Sequence, residues 1–106
     1  MLFRSGFVNM TQLDFHGYEG IIELDLLMKP DYFPALETII LSDTSIVTIP
    51  ESISRFPRLE QLHARDCKFL REIQGLPQSI RMVLVYGSML LNTSPSGLFN
   101  QVYLFL

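Results

Sequence analysis

A single cysteine, Cys67, stands in the 106-residue chain, which excludes an internal disulfide framework and fits a reducing compartment. Histidine is as scarce. His16 and His63 are two repeats apart, and no Cys-x-x-Cys or His-x-x-x-His spacing occurs, so the converging ligands of a zinc site are missing. Eight Lys and Arg against eleven Asp and Glu leave a net charge of −3 and an isoelectric point near 5.2. With no basic stripe to neutralise phosphates, the composition argues against a nucleic-acid binder. Gly17 and Gly20 lack the following Lys-Ser/Thr that a phosphate loop requires. Apolar runs such as Met82 to Tyr86 fall far short of the roughly 20 residues of a membrane helix. The opening MLFRSGFVNM has one arginine, no sustained apolar run and no clear small-residue cleavage site, so the expectation is a soluble chain without a secretion signal. What the chain does have is apolar surface: 48% of residues and a mean hydropathy of +0.27 are ample to bury a core and exclude disorder.

That apolar content is periodic. Phe-Pro-x-Leu-Glu occurs at Phe33 and again at Phe56, 23 residues on. After each start, apolar residues fall at the first, fourth and sixth places: Leu36, Ile39 and Leu41, then Leu59, Leu62 and Ala64. This L-x-x-L-x-L spacing, at a period in the twenties, is that of a leucine-rich repeat. Met10, Leu13 and Phe15 fit an earlier unit, and Ile80, Val83 and Val85 a later one. The steps of 26, 23 and 21 residues describe an irregular solenoid. The resulting division is a ragged N-terminal end over 1–9, about four repeats over 10–91 starting near 10, 36, 59 and 80, and a tail over 92–106. The predicted fold is a short α/β repeat horseshoe with a curved parallel sheet on one side and loops or short helical turns on the other. Pro50 leads one such turn, with Ile53 and Phe56 facing inward. Pro30 and Pro34 forbid a regular helix through LLMKPDYFP.

Alternation along a strand separates two sets of residues. Leu36, Ile39, Leu41, Leu59, Leu62, Ala64, Cys67, Leu70 and Ile73 form the expected repeat core. The intervening residues point to the concave face: Gln12, Asp14 and His16; Thr38, Ile40 and Ser42; Gln61, His63 and Arg65; Met82, Leu84 and Tyr86. This is the extended surface that the architecture offers a partner, and it turns apolar toward the C-terminus. His63, Arg65, Met82, Leu84 and Tyr86 are the expected protein-contact residues, because aromatic, Met and Arg side chains tend to dominate interface energetics.

Chemistry beyond binding finds little support. His63, Asp66 and Cys67 lie close in sequence, but alternation turns His63 outward and Cys67 inward, where a thiol is a small apolar filler. Carboxylate pairs such as Glu19 with Glu23, or Asp25 with Asp31, read as solvated loop charges. No catalytic, cofactor-binding or metal-binding residue is assigned. Two glycosylation triplets, at Asn9 and Asn92, keep a secreted alternative open. The terminal QVYLFL reads as a hydrophobic remnant of a longer chain in preference to a strand covering the open end of the apolar column.

The run TIPESISRFPRLEQLHARDCKFLREIQGLPQSIR, Thr48 to Arg81, resembles the repeat region of plant disease-resistance receptors of the Toll/interleukin-receptor-type nucleotide-binding leucine-rich-repeat class. The likeness rests on Leu59 and Leu62, the inner Cys67, Leu70 and Ile73, and the link Leu76-Pro77-Gln78-Ser79-Ile80. NTSPSGLFNQ, at 92–101, is similar to the segment after the last repeats of that class. Val83 to Gly87 departs from the pattern, since no inner cysteine comes after it. The resemblance implies a cytoplasmic or nuclear protein-binding module in innate immunity, recognising an effector or a guarded host protein and restraining the receptor. The nucleotide-binding and NAD-cleaving domains of such receptors have no counterpart in these residues, so no cofactor is carried over. A truncated fragment without activity of its own is the alternative.

Overall fold

The computed structural model describes residues 7–27, 29 and 31–88 (side chains of 26 and 27 excepted) and the backbone of 103–105. It is a parallel-strand solenoid of about three turns with almost no helix. The main sheet holds β1 (Gln12–Asp14), β2 (Thr38–Ile40), β4 (Gln61–Arg65), β6 (Met82–Tyr86) and β7 (Tyr103–Phe105), in that spatial order. A second, two-stranded sheet on the opposite side pairs β3 (Thr48–Ile49) with β5 (Glu72–Ile73). Among the described residues, helix is confined to one turn, α1 (Leu24–Leu27), and a 3₁₀ segment, Glu51–Arg55.

Register places Leu13, Ile39, Leu62 and Val83 side by side. Ile39, Leu62 and Val83 are fully buried, while Leu13 packs half-buried at the N-terminal end. Ile49 and Ile73 on the far sheet, with Ile53, Phe56 and Leu70, close the column from behind. Removing one such side chain, as in Leu62→Ala, costs on the order of 2–5 kcal/mol by lost transfer energy and the cavity left behind.

Each unit enters its strand through a shared carbonyl. Thr11 O accepts the N–H groups of both Glu37 and Thr38, Glu37 O those of Glu60 and Gln61, and Glu60 O those of Arg81 and Met82, all at 2.8–3.0 Å. Each unit leaves through a left-handed corner. Gly17, Asp43, Asp66 and Gly87 have φ of 75°, 58°, 58° and 76°, and each stands four residues after its column residue. This conformation costs an L-residue about 1–2 kcal/mol, with glycine exempt and Asp and Asn the least penalised. The corner amides of Gly17, Asp43 and Asp66 donate to Ser42, Arg65 and Tyr86 carbonyls of the next unit at 3.1, 2.7 and 2.7 Å.

The Pro50 turn is present as the 3₁₀ segment, with Pro50 at its N-cap and Ile53 buried inside it. It fills the space behind β2. Gly75 lies opposite: a Cβ there would sit 3.3 Å from Glu51 Cγ, a contact that a small shift of that flexible side chain relieves. In the Leu76–Ile80 link, the Ser79 hydroxyl donates to Leu59 O at 2.7 Å, tying the end of one unit to the strand entry of that same unit. The fourth unit has a five-residue strand and a left-handed corner despite its missing cysteine, and Ser88 stands where Cys67 stands in the third. Tyr103–Phe105 pairs with β6 in the register Val83↔Tyr103, Leu84↔Leu104, Val85↔Phe105. The backbone of the terminal segment is therefore a strand beside β6, as the strand reading of QVYLFL has it. The rest of the 92–106 tail, including Asn92, and residues 1–6 of the N-terminal end lie outside the described residues.

The corners generate a graded prediction. A Cβ at Gly17 would meet nothing within 4 Å, whereas one at Gly87 would press on Asp66 Oδ1 and approach its backbone Cα and N at 3.1 and 3.3 Å. Gly17→Ala should therefore lose about 1 kcal/mol of unfolding free energy from backbone strain alone. Gly87→Ala should lose about 2–3 kcal/mol. Urea denaturation of both variants checks the ranking, and equal losses would remove the steric part of the account.

Candidate protein-binding surface

Parallel pairing sets the outward side chains of the main sheet in rows that cross the units. One row runs Gln12, Thr38, Gln61, Met82, and the next Asp14, Ile40, His63, Leu84. A third position, at the strand ends, pairs Arg65 with Tyr86. With about 4.8 Å between strands, each four-residue row spans about 14 Å. The second row passes from a carboxylate through an aliphatic and an imidazole to another aliphatic. Leu104 occupies the next register position beside Leu84.

Of the expected contact residues, Arg65 is exposed and His63, Met82, Leu84 and Tyr86 are half-buried at the sheet surface. The structure brings all five onto two adjacent strands, β4 and β6. Ser42, expected on the same face, is instead buried at 2% exposure. Its hydroxyl accepts the Arg65 N–H at 3.1 Å. Arg65 and Tyr86 hold the same place in the next units and reach the surface, so it is the short Ser42 side chain, bonded to the Arg65 amide, that stays covered. The Gly/Asp corner series is the feature that alternation misses. Its signal is four αL-tolerant residues at one offset from the column.

His63 Nε2 lies 3.0 Å from Gln61 Oε1, two residues along the same strand face. Burial, then the Arg65 guanidinium, hold the imidazole pKa below its ordinary value. Cys67 is fully buried. Its thiol donates to Leu41 O of the preceding unit at 3.0 Å, a carbonyl that also accepts the Thr44 hydroxyl at 2.7 Å. Burial pushes the thiol pKa up against the opposing hydrogen bonds at Thr44. A protonated, enclosed sulfur that caps a carbonyl is a cross-unit tie and lacks the ionisation a nucleophile needs. Among the described residues no group of three His, Cys, Asp or Glu could hold a metal ion, and no helix is long and apolar enough to cross a membrane. Hollows of about 410 Å³ and 500 Å³ lie on the far side, against Ile46 to Pro50 and against Phe56 to Pro57.

Both titrations can be tested. A depressed imidazole pKa means that the unfolded chain takes up a proton first as pH falls. Stability is then complete above the ordinary histidine value and is lost as pH drops below it toward the folded value. The His63 ring, followed by NMR, should titrate below its free-peptide midpoint. Arg65→Gln should raise that midpoint only in part, because burial remains. A full return to the free value would assign the shift to Arg65 alone. For Cys67, a thiol reagent at pH 8 should react with the native chain at least about 100-fold more slowly than with the urea-unfolded chain. Comparable rates would show that the thiol is open to solvent.

Over 56 residues, 53% of its length, the chain is 34% identical to a probable disease resistance protein of Arabidopsis thaliana. It spans about 3% of the length of that protein. No family model matches the chain, and no solved structure matches it. A short repeat solenoid, similar over about half its length to part of a plant disease resistance protein, is therefore what the geometry and the comparison together describe.

Proposed function

We propose that the chain is a protein–protein interaction module of a plant intracellular immune receptor, of the Toll/interleukin-receptor-type nucleotide-binding leucine-rich-repeat class. It binds a pathogen effector, a guarded host protein or another domain of the same receptor, and this contact restrains the receptor until recognition. The observation that carries the reading is the strand face. Its outward rows on four parallel strands present a continuous surface, in a chain similar to a disease resistance protein. The partner-facing residues are His63, Arg65, Met82, Leu84 and Tyr86, and the place of action is the cytoplasm or nucleus.

Site-directed photo-crosslinking tests this. A photoreactive residue at position 65 or 84, in the full chain added to extracts of pathogen-challenged leaf, should give discrete protein adducts, while one at Arg55 on the opposite side should not. Arg65→Ala with Tyr86→Ala should weaken binding of the crosslinked partner by about 10- to 100-fold and leave the melting temperature within about 2 °C. Identical adducts from position 55, or none from positions 65 and 84, would remove the concave face from the account.

A further inference from the structure

The far sheet is one strand short at the first unit. Units one to four each contribute a strand to the main sheet, but on the far side the described strands are β3 and β5 alone. Ile49 of β3 and Ile73 of β5 stand 10 and 11 residues after their column residues, Ile39 and Leu62, and both are buried. In the first unit, the residue 11 places after Leu13 is Leu24, buried at 3% exposure. Leu24 opens α1, so its side chain fills the core while its backbone is helical and lays no ladder beside β3. Among the described residues, β3 therefore has a free edge.

Parallel pairing fixes which groups that edge presents. Val47 O and Ile49 O accept the Arg71 and Gln74 N–H groups, both at 2.8 Å, so these two residues face β5. Backbone groups of successive residues in a strand point to opposite sides. The Thr48 N–H and C=O thus point away from β5, toward the first unit, and no hydrogen bond from a described residue there reaches them. Thr48 lines the hollow of about 410 Å³ between the two units, within the roughly 300–1,000 Å³ of ligand sites. Ile21 and Val47, at 82% and 47% exposure, line it as well. The Ser52 hydroxyl donates to Asp25 Oδ1 at 2.7 Å and ties the units together at one end; Arg55 lies outside the hollow.

These walls select the occupant. A main-chain donor and acceptor side by side match one residue of an antiparallel strand, or the two flanking residues of a parallel one. A compact apolar ligand would cover Ile21 and Val47 yet leave the Thr48 groups without partners. The charged lining residues, Glu23 and Asp25, are both acidic, which favours a basic side chain beside the edge and repels an acidic one.

We propose that the hollow receives an extended segment of a protein partner, apolar with lysine or arginine among its residues, which adds a strand to the free edge of β3 at Thr48. The hollow lies on the opposite side of the solenoid from His63, Arg65 and Tyr86, so either contact can fail while the other stands.

The test titrates the peptide acetyl-Thr-Val-Lys-Val-Lys-amide into the isotope-labelled full chain, followed by NMR. The Ile21 and Thr48 amide resonances should shift saturably in the millimolar range. The same peptide with glutamate for lysine should bind at least about threefold more weakly, and an N-methylated version at least about fivefold more weakly. Thr48→Pro removes the N–H that faces the hollow and spares those facing β5, a change that edge strands accept, and should weaken binding similarly. Ile21→Ser, at an exposed position, should weaken it at least about threefold and leave the melting temperature within about 2 °C. In the free chain, the Thr48 N–H should exchange in deuterated water at least about 10-fold faster than that of Ile49. No saturation by about 20 mM peptide, equal binding of the N-methylated or glutamate peptide, an unchanged response in Ile21→Ser, or shifts confined to His63 and Tyr86 would each overturn the proposal. So would Thr48 protection that rises with chain concentration without peptide, which would assign the edge to a second copy.

Discussion

Parallel pairing of Leu13, Ile39, Leu62 and Val83 is the constraint on which the rest of the structure depends. Four segments of unequal length must bring one residue to the same lateral position and then turn away together. The common turn is possible because residue four after each column position is Gly or Asp, and its amide bonds the next unit in three of the four. Length differences of several residues per unit are accommodated elsewhere. The first unit absorbs its surplus in the stretch around α1, the second in the 3₁₀ turn, and the third has almost nothing to absorb and closes through Gly75 and Pro77. Regularity on one side is therefore obtained by irregularity on the other.

That division explains what could be read from the amino acids. The column and its partners were legible because burial at fixed spacing leaves a compositional trace: Leu36, Ile39, Leu41, Leu59 and Leu62 are apolar, and each is buried to about 1% exposure or less. The 3₁₀ turn was legible through Pro50, whose fixed φ and missing donor suit the start of such a turn. The left-handed corners left a fainter trace, because Gly and Asp are also common in ordinary turns and only their shared offset sets them apart. Ser42 departs from the exposure that alternation predicts. Alternation gives direction and not exposure: Ser42 shares its place with the longer Arg65 and Tyr86, but its short side chain stays covered and its hydroxyl accepts the Arg65 amide. The strand at Tyr103–Phe105 was the harder case, since a short apolar run reads equally as a strand or as a fragment of something larger.

Cys67 shows how a single residue type acquires its role from position. Thr44 and Cys67 occupy the same place in successive units, and both donate to Leu41 O. One carbonyl thus receives a bond from its own unit and one from the next. A buried carbonyl has two lone pairs to satisfy and few neighbours able to do so. Threonine and cysteine are small enough for the inner turn and still carry a donor. The sulfur is held by this structural task, which is why its nearness in sequence to His63 and Asp66 does not make a reactive cluster. The histidine belongs to the outward row and the thiol to the core.

The same geometry separates the core from the outward face. Along β4 and β6, core and surface residues alternate, so a change at His63 or Leu84 leaves Leu62 and Val83 in place. An outward residue can then vary at a cost within the usual surface range of about 0.5 kcal/mol. The corners do not enjoy this freedom. Asp43 and Asp66 are corner residues, so most replacements there would strain the backbone as well as alter the charge. Asn changes the charge and keeps the turn, and Gly keeps the turn and removes the side chain. Side chains on the strand face can be changed residue by residue, whereas at the corners the choice is confined to the short list of residues that a left-handed conformation accepts.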